Sequence, residues 1–290
     1  MSRGSVMGFR QNAKVRAKDV VKKRLGRGIP VDSRSTSRIW WLRCWGSPMR
    51  TVGAVGLDRS GLDAPHPRVH QWAASGRSKN TIVAGSNPLF HEVPSKAVGF
   101  GPTFAAHLAD ATGRPVLLVP YARGDSGFSR IHGISWDPAD TGARVNLFWD
   151  AMQRIRTGLA TKPGNELAAV LWHQGESDVP LLTGPVYAEK LDSLIDTLRG
   201  EFGDVPFVVG QMVPDEIESG EPNYAVIDAV HADTPRRKAA VAYVPGPRGL
   251  YNSETEKIHY NGEGQRELGR RMWEAFAGMS PSVRRSTDNA

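Results

Sequence analysis

The chain has 290 residues, 40% hydrophobic and 23% charged, with 31 Gly, 20 Pro and a single cysteine, Cys44. That length suits one large domain or two small ones. The composition excludes wholesale disorder, the lack of any apolar run of about 18 residues excludes a transmembrane helix, and one cysteine excludes both an intrachain disulfide framework and a cysteine-based zinc site.

The formal charge of +7 is unevenly spread. Residues 1–50 hold 13 Lys and Arg against Asp19 and Asp32, a charge of +11, whereas residues 51–290 hold 24 bases and 28 acids, a charge of −4. Binding to nucleic acid needs a basic surface on the folded body. Here the basic charge belongs to a tail, which reads as solvated, so no nucleic-acid partner is expected. Residues 1–37 carry few large apolar side chains and are expected to be disordered. Met1 to Arg10 lack the apolar core of a secretory signal, and Gly26 to Pro30 break any transit-peptide helix, so a cytoplasmic location is expected. The segment Arg38-Ile-Trp-Trp-Leu-Arg-Cys44 follows, and Trp40, Trp41 and Trp45 crowd three of the eight tryptophans into six positions.

From about residue 52 strands alternate with helices. Val116-Leu-Leu-Val-Pro120, Ala168-Ala-Val-Leu-Trp172, Pro206-Phe-Val-Val-Gly210 and Ala239-Ala-Val-Ala-Tyr243 are short apolar runs of the kind that form buried parallel strands. Phe104 to Leu108 open a helix that Gly113 ends. Tyr187, Leu191, Leu194, Ile195, Leu198 and Phe202 recur at helical spacing, as do Leu268, Met272 and Phe276, with Asn261-Gly262 as a cap. This alternation predicts an α/β fold with a mostly parallel sheet covered on both faces. Ligands of such sheets bind beyond the carboxyl ends of the strands.

Three polar loops stand at those ends: Tyr121 to Phe128, His173 to Asp178, and Glu256 to His259. No GxxxxGK[ST] or GxGxxG phosphate loop occurs. His259 lies three residues after Glu256, in what reads as a tight loop before the last helix. A carboxylate there could fix the imidazole tautomer and leave a general base; spacing alone favours a surface Glu and a capping His. Gly124 offers a backbone N–H that a developing oxyanion can approach, or an ordinary turn. Gln174 offers an amide donor, and Glu176 and Asp178 offer acids that hold the loop or face water. His66 and His70 form an H-x3-H pair, but Pro65 and Pro67 oppose a helical zinc site, so no metal and no cofactor is expected.

Ala-Arg-Gly-Asp-Ser-Gly-Phe at 122–128, Leu-Trp-His-Gln-Gly-Glu-Ser-Asp at 171–178 and Ile-His-Tyr-Asn-Gly-Glu-Gly-Gln-Arg-Glu-Leu-Gly-Arg-Arg at 258–271 together resemble the sialate O-acetylesterase domain, carbohydrate esterase family 6, a branch of the SGNH hydrolases. The resemblance runs from about Val52 to Phe276 and includes residues 64–72 and 150–154. It implies a three-layer, flavodoxin-like SGNH hydrolase fold and a metal-free serine esterase that removes acetyl groups from sugars. It also implies that Gly124 and the Gln174 amide are oxyanion donors and that His259 is the catalytic base. Two positions depart from the family. Glu256 stands where the family has Asp, and Asp125 replaces a Gly beside the oxyanion loop.

The family's serine lies in Gly-Gln-Ser-Asn after the first strand. Here that block reads Trp45-Gly-Ser-Pro-Met-Arg50, so Ser47 is the candidate nucleophile, and Pro48 removes the N–H that follows it. A codon choice that these six residues permit, TGG GGC AGT CCA ATG CGN, reads Gly-Gln-Ser-Asn-Ala when its first two bases are dropped. Residues 1–50 are therefore expected to be a basic segment that is disordered or translated out of frame. Residues 51–278 are expected to form the esterase domain, and 279–290 a disordered tail. The expected partner is an acetylated carbohydrate, with no membrane. The rival readings are an esterase for another acyl ester and an inactive carbohydrate-binding relative.

Overall fold

The structure, a computed structural model, describes residues 38–42 (as backbone), 56–59, 61–91, 97–219 and 223–279. Its centre is a seven-stranded sheet built from β1 (Arg38–Leu42), β2 (Val69–Trp72), β3 (Ile82–Ala84), β4 (Val116–Pro120), β7 (Glu166–Trp172), β8 (Phe207–Gly210) and β9 (Val241–Val244), in the order β3-β2-β4-β1-β7-β8-β9. All neighbours are parallel except β2 and the edge strand β3. Two short pairs complete the strands: β5 (Ile134–Ser135) with β6 (Val145–Asn146), and β10 (Tyr251–Ser253) with β11 (Glu256–Tyr260).

The helices are α1 (Gly101–Thr112), α2 (Leu147–Leu159), α3 (Gly184–Phe202), α4 (Pro214–Ser219), α5 (Asn223–Arg237) and α6 (Gly262–Met279). Strand alternation divides the core into two. Val116, Leu118, Ala169, Leu171 and Val208 point to the face covered by α1 and α6, where Phe104, Leu108, Leu268, Met272 and Phe276 pack. Leu117, Val119, Val170, Trp172, Phe207 and Val209 point to the other face, against Phe148 and Ile155 of α2, Tyr187 and Leu191 of α3, and Ile227 of α5. Successive side chains of a strand face opposite ways, so apolar runs buried on both faces require helices on both. The expected α/β, three-layer, mostly parallel architecture is what forms.

Two expected helix boundaries carry their predicted chemistry. Gly113 caps α1 with φ of 65°, the left-handed conformation that glycine adopts without a Cβ penalty. Asn261 opens α6, its Oδ1 accepting the Gly264 N–H at 2.9 Å. The charge split at residue 50 does not coincide with an edge of the sheet. Arg38–Leu42 lies upstream of it and pairs with β4 on one side and β7 on the other. Helix α6 runs to Met279. The expected disorder of residues 1–37 and of 280–290 lies outside the described residues.

Candidate active site

Each candidate loop leaves the carboxyl end of a strand: Tyr121–Phe128 after β4, His173–Asp178 after β7, and the β10–β11 hairpin beyond β9. Glu256 and His259 are in β11, not in the tight loop that their spacing suggested. On a regular strand, residues three apart face opposite ways. The hairpin is irregular: Tyr251 and Ser253 of β10 oppose Tyr260 and Glu256 of β11, so a two-residue step on one strand faces a four-residue step on the other. Such a bulge bends the strand and re-aims its side chains. Here it lets Glu256 Oε1 hydrogen-bond His259 Nδ1. Asn252, which the sequence reading passed over, donates from Nδ2 to Glu256 Oε2 at 2.5 Å. Both carboxylate oxygens are thus held. Tyr260 anchors the hairpin from below, donating to the carbonyls of Gln211 and Met212 at 3.1 and 3.0 Å. Burial pushes the Tyr260 hydroxyl well above its ordinary pKa, which keeps it a donor.

The β4 loop is pinned at several points. Ser126 Oγ donates to the Arg123 carbonyl at 2.7 Å and accepts the Trp136 indole N–H at 3.0 Å. The Trp136 N–H bonds the Gly127 carbonyl at 2.9 Å, and Ser135 Oγ bonds that of Phe128 at 2.9 Å. Gly124 is buried, and no acceptor takes its N–H among the described residues. Asp125 is exposed and has φ of 49°. That left-handed conformation is one glycine fills freely and Asp tolerates through its short polar side chain.

The β4 and β7 loops meet at Asp178, which is fully buried. Its carboxylate accepts the N–H groups of Phe128 and Ser129 at 2.8 and 2.9 Å and the Gln174 amide Nε2 at 2.8 Å. A Cβ on Gly127 would fall 2.4 Å from Asp178 Oδ1, so only glycine allows this approach. Gln174 is itself fully buried, with Oε1 taken by the Tyr187 hydroxyl at 2.9 Å. His173 packs between Phe100 and Tyr260, with ring centroids 6.1 and 5.6 Å away, which joins the β7 loop to the hairpin that carries His259. Of the expected site residues, the structure thus joins the loops that carry Gly124 and Gln174 at Asp178 and pairs His259 with Glu256. Ser47 lies outside the described residues.

His66 Nε2 lies 3.1 Å from Asp110, and His70 lies in β2. Among the described residues no group of three or more His, Cys, Asp or Glu could hold a metal ion. None of the described helices is long and apolar enough to cross a membrane.

Residues 49–278 match the model of a family described as carbohydrate esterase, sialic acid-specific acetylesterase. The chain is 29% identical over 172 residues to a probable 9-O-acetyl-N-acetylneuraminic acid deacetylase of Escherichia coli (strain K12), over 47% of this chain and 52% of that one. It therefore spans about half the length of the curated relative it matches. Among solved structures, NanS superposes with a TM-score of 0.67 at 20% identity, covering 84% of this chain and 98% of that one. An Arabidopsis thaliana protein superposes with a TM-score of 0.64 at 22% identity, covering 83% and 98%. A carbohydrate acetylesterase from Xanthomonas citri does so with 0.56 at 15% identity, covering 84% and 56%. These likenesses show that the fold is shared.

Proposed function

The chain belongs to the sialic acid-specific acetylesterase family of carbohydrate esterases, and on that premise we propose that it hydrolyses O-acetyl esters of a carbohydrate through a serine nucleophile, without metal or cofactor. The observation that carries this reading is the His259–Glu256 pair, with Asn252 on the second carboxylate oxygen, at the carboxyl edge of a parallel sheet. With Nδ1 turned to Glu256, His259 Nε2 is the nitrogen that exchanges protons. The serine Oγ attacks the acetyl carbonyl carbon as its proton passes to Nε2. The tetrahedral intermediate expels the sugar oxygen, which takes that proton from His259. Water then attacks the acetyl-enzyme, again giving its proton to His259, and acetate leaves as the serine is reprotonated. The Gly124 N–H and the Gln174 amide stabilise the charge on the carbonyl oxygen in both steps. The charge of −4 on residues 51–290 does not suit a nucleic-acid partner, and a cytoplasmic location is part of the same reading.

Ser47 is the residue of this chain in the nucleophile's sequence position, five residues beyond β1. Turnover of 4-nitrophenyl acetate and of an O-acetylated sialic acid tests the reading. His259→Ala should lower kcat by several orders of magnitude, and Glu256→Gln by less, because the carboxylate only orients the base. A His259→Ala variant with near-normal kcat removes the assignment.

A second reading has its own observation. The family match begins at residue 49, so Ser47-Pro48 falls outside it, and proline at 48 removes a backbone donor. On this reading the chain as written binds acetylated sugar without cleaving it. Replacing residues 45–49 by Gly-Gln-Ser-Asn-Ala should then create turnover. Full activity retained in Ser47→Ala would sink both the role of Ser47 and the shifted-frame account of residues 1–50.

A further inference from the structure

A chain of buried polar groups behind Gln174 plays no part in the steps above. Tyr187 on α3 and His231 on α5 are both fully buried. The Tyr187 hydroxyl lies 2.9 Å from His231 Nε2 and donates to Gln174, 2.9 Å from Oε1 and 3.1 Å from the backbone carbonyl. On the other side of the amide, Gln174 Nε2 donates to Asp178 at 2.8 Å.

Counting protons gives this chain a direction. Tyr187 has one hydroxyl proton, and Gln174 offers it only acceptors, so the proton points to Gln174. His231 must then supply a proton to the tyrosine oxygen from Nε2. Burial, with smaller contributions from His173 and Arg237, lowers the His231 pKa to about 3 and keeps the ring neutral. A neutral ring protonated at Nε2 leaves Nδ1 as a bare lone pair. His231 Nδ1 is buried with no hydrogen-bond partner among the described residues, which a lone pair tolerates better than an N–H would. The far end agrees, because the Asp178 carboxylate already takes two backbone N–H groups and can only accept. A flipped Gln174 amide would set oxygen against carboxylate and donor against donor.

We infer that Tyr187, backed by His231, and Asp178 are positioning residues that lock the Gln174 side-chain amide in one orientation, with the second hydrogen of Nε2 left for the acetyl carbonyl oxygen. This rests on the reading of Gln174 as an oxyanion donor. An amide free to flip would present its oxygen to the developing negative charge half of the time, and stabilisation by a donor depends on its being fixed before the reaction.

Tyr187→Phe removes only the hydroxyl. It should lower kcat on an acetyl ester about tenfold with KM little changed, the loss expected from one hydrogen bond of about 1.4 kcal/mol. In a Gln174→Ala background the same change should cost nothing further, because the group it positions is gone. Gln174→Ala itself should cost roughly 10²–10³-fold in kcat. If Gln174→Ala loses activity while Tyr187→Phe does not, the positioning proposal fails and the oxyanion reading stands. If Gln174→Ala keeps its kcat, the oxyanion reading fails. A loss from Tyr187→Phe that is equal in both backgrounds marks a merely structural role and overturns the proposal. One readout needs no turnover: 15N spectra of His231 should show the Nε2–H tautomer unchanged across about pH 5–8. An Nδ1–H tautomer, or titration within that range, overturns it.

Discussion

Asn252 is a small residue with a large expected effect. Its amide holds Glu256 Oε2 at 2.5 Å while His259 Nδ1 holds Oε1. A carboxylate fixed at both oxygens cannot rotate away from the imidazole, so the base keeps its aim. Asn252→Ala frees one oxygen. Hydrogen bonds to charged groups contribute about 1.5–3 kcal/mol, and only part of that reaches the transition state. The expected loss is about tenfold in kcat/KM, smaller than for Glu256→Gln and much smaller than for His259→Ala. Steady-state kinetics on an acetyl ester checks the order of the three, and Asn252→Ala falling below Glu256→Gln would show that Asn252 does more than hold the carboxylate. Nothing in the sequence marked Asn252, because its role depends on the bulge that carries Glu256 round to face it.

At the scale of elements, the oxyanion loops depend on the fit of the β4 loop against Asp178. A methyl group on Gly127 would sit 2.4 Å from Asp178 Oδ1, and Asp178 is held in place by three donors. Gly127→Ala should therefore destabilise by about 1–3 kcal/mol and lower kcat as well, since the displaced carboxylate carries Gln174 with it. Urea denaturation and kinetics on the same variant check both, and an unchanged kcat would uncouple the two loops. Strands β4, β7, β8 and β9 were legible in the sequence because each is an apolar run bounded by Pro, Gly or a polar loop. β2 was not. Its Val69-His-Gln-Trp72 holds a buried Gln71 whose amide is satisfied by Ala84, Ser86 and Phe90 across the loop, a tertiary fact that no periodicity carries. β1 was hidden by Arg38 and by the basic segment around it. The site divides the same way. His259, Glu256, Gly124 and Gln174 lay in the loops expected beyond strand ends and were given roles by the family resemblance, whereas Tyr187 read as an ordinary member of a helix and His231 carried no signal.

For the molecule as a whole, the buried histidines set an acid limit on stability. Burial, with Arg154 nearby, lowers the His91 pKa to about 4, and burial first among its causes lowers that of His231 to about 3. Burial alone lowers His70 in the same direction. The unfolded chain binds a proton at each near pH 6.5, while the folded chain stays neutral. Above that pH both states are neutral and these groups contribute no dependence. Below it the unfolded state binds more protons, so stability falls as pH falls. Between pH 6.5 and 5 the loss is about 1.6 kcal/mol for each fully depressed histidine, or about 3 kcal/mol for His91 and His231 together. Urea denaturation at half-unit pH steps measures the slope directly. A stability that stays flat from pH 6.5 to 5 would mean that His91 and His231 take up protons in the folded state, and the neutral ring behind Tyr187 would be lost with it.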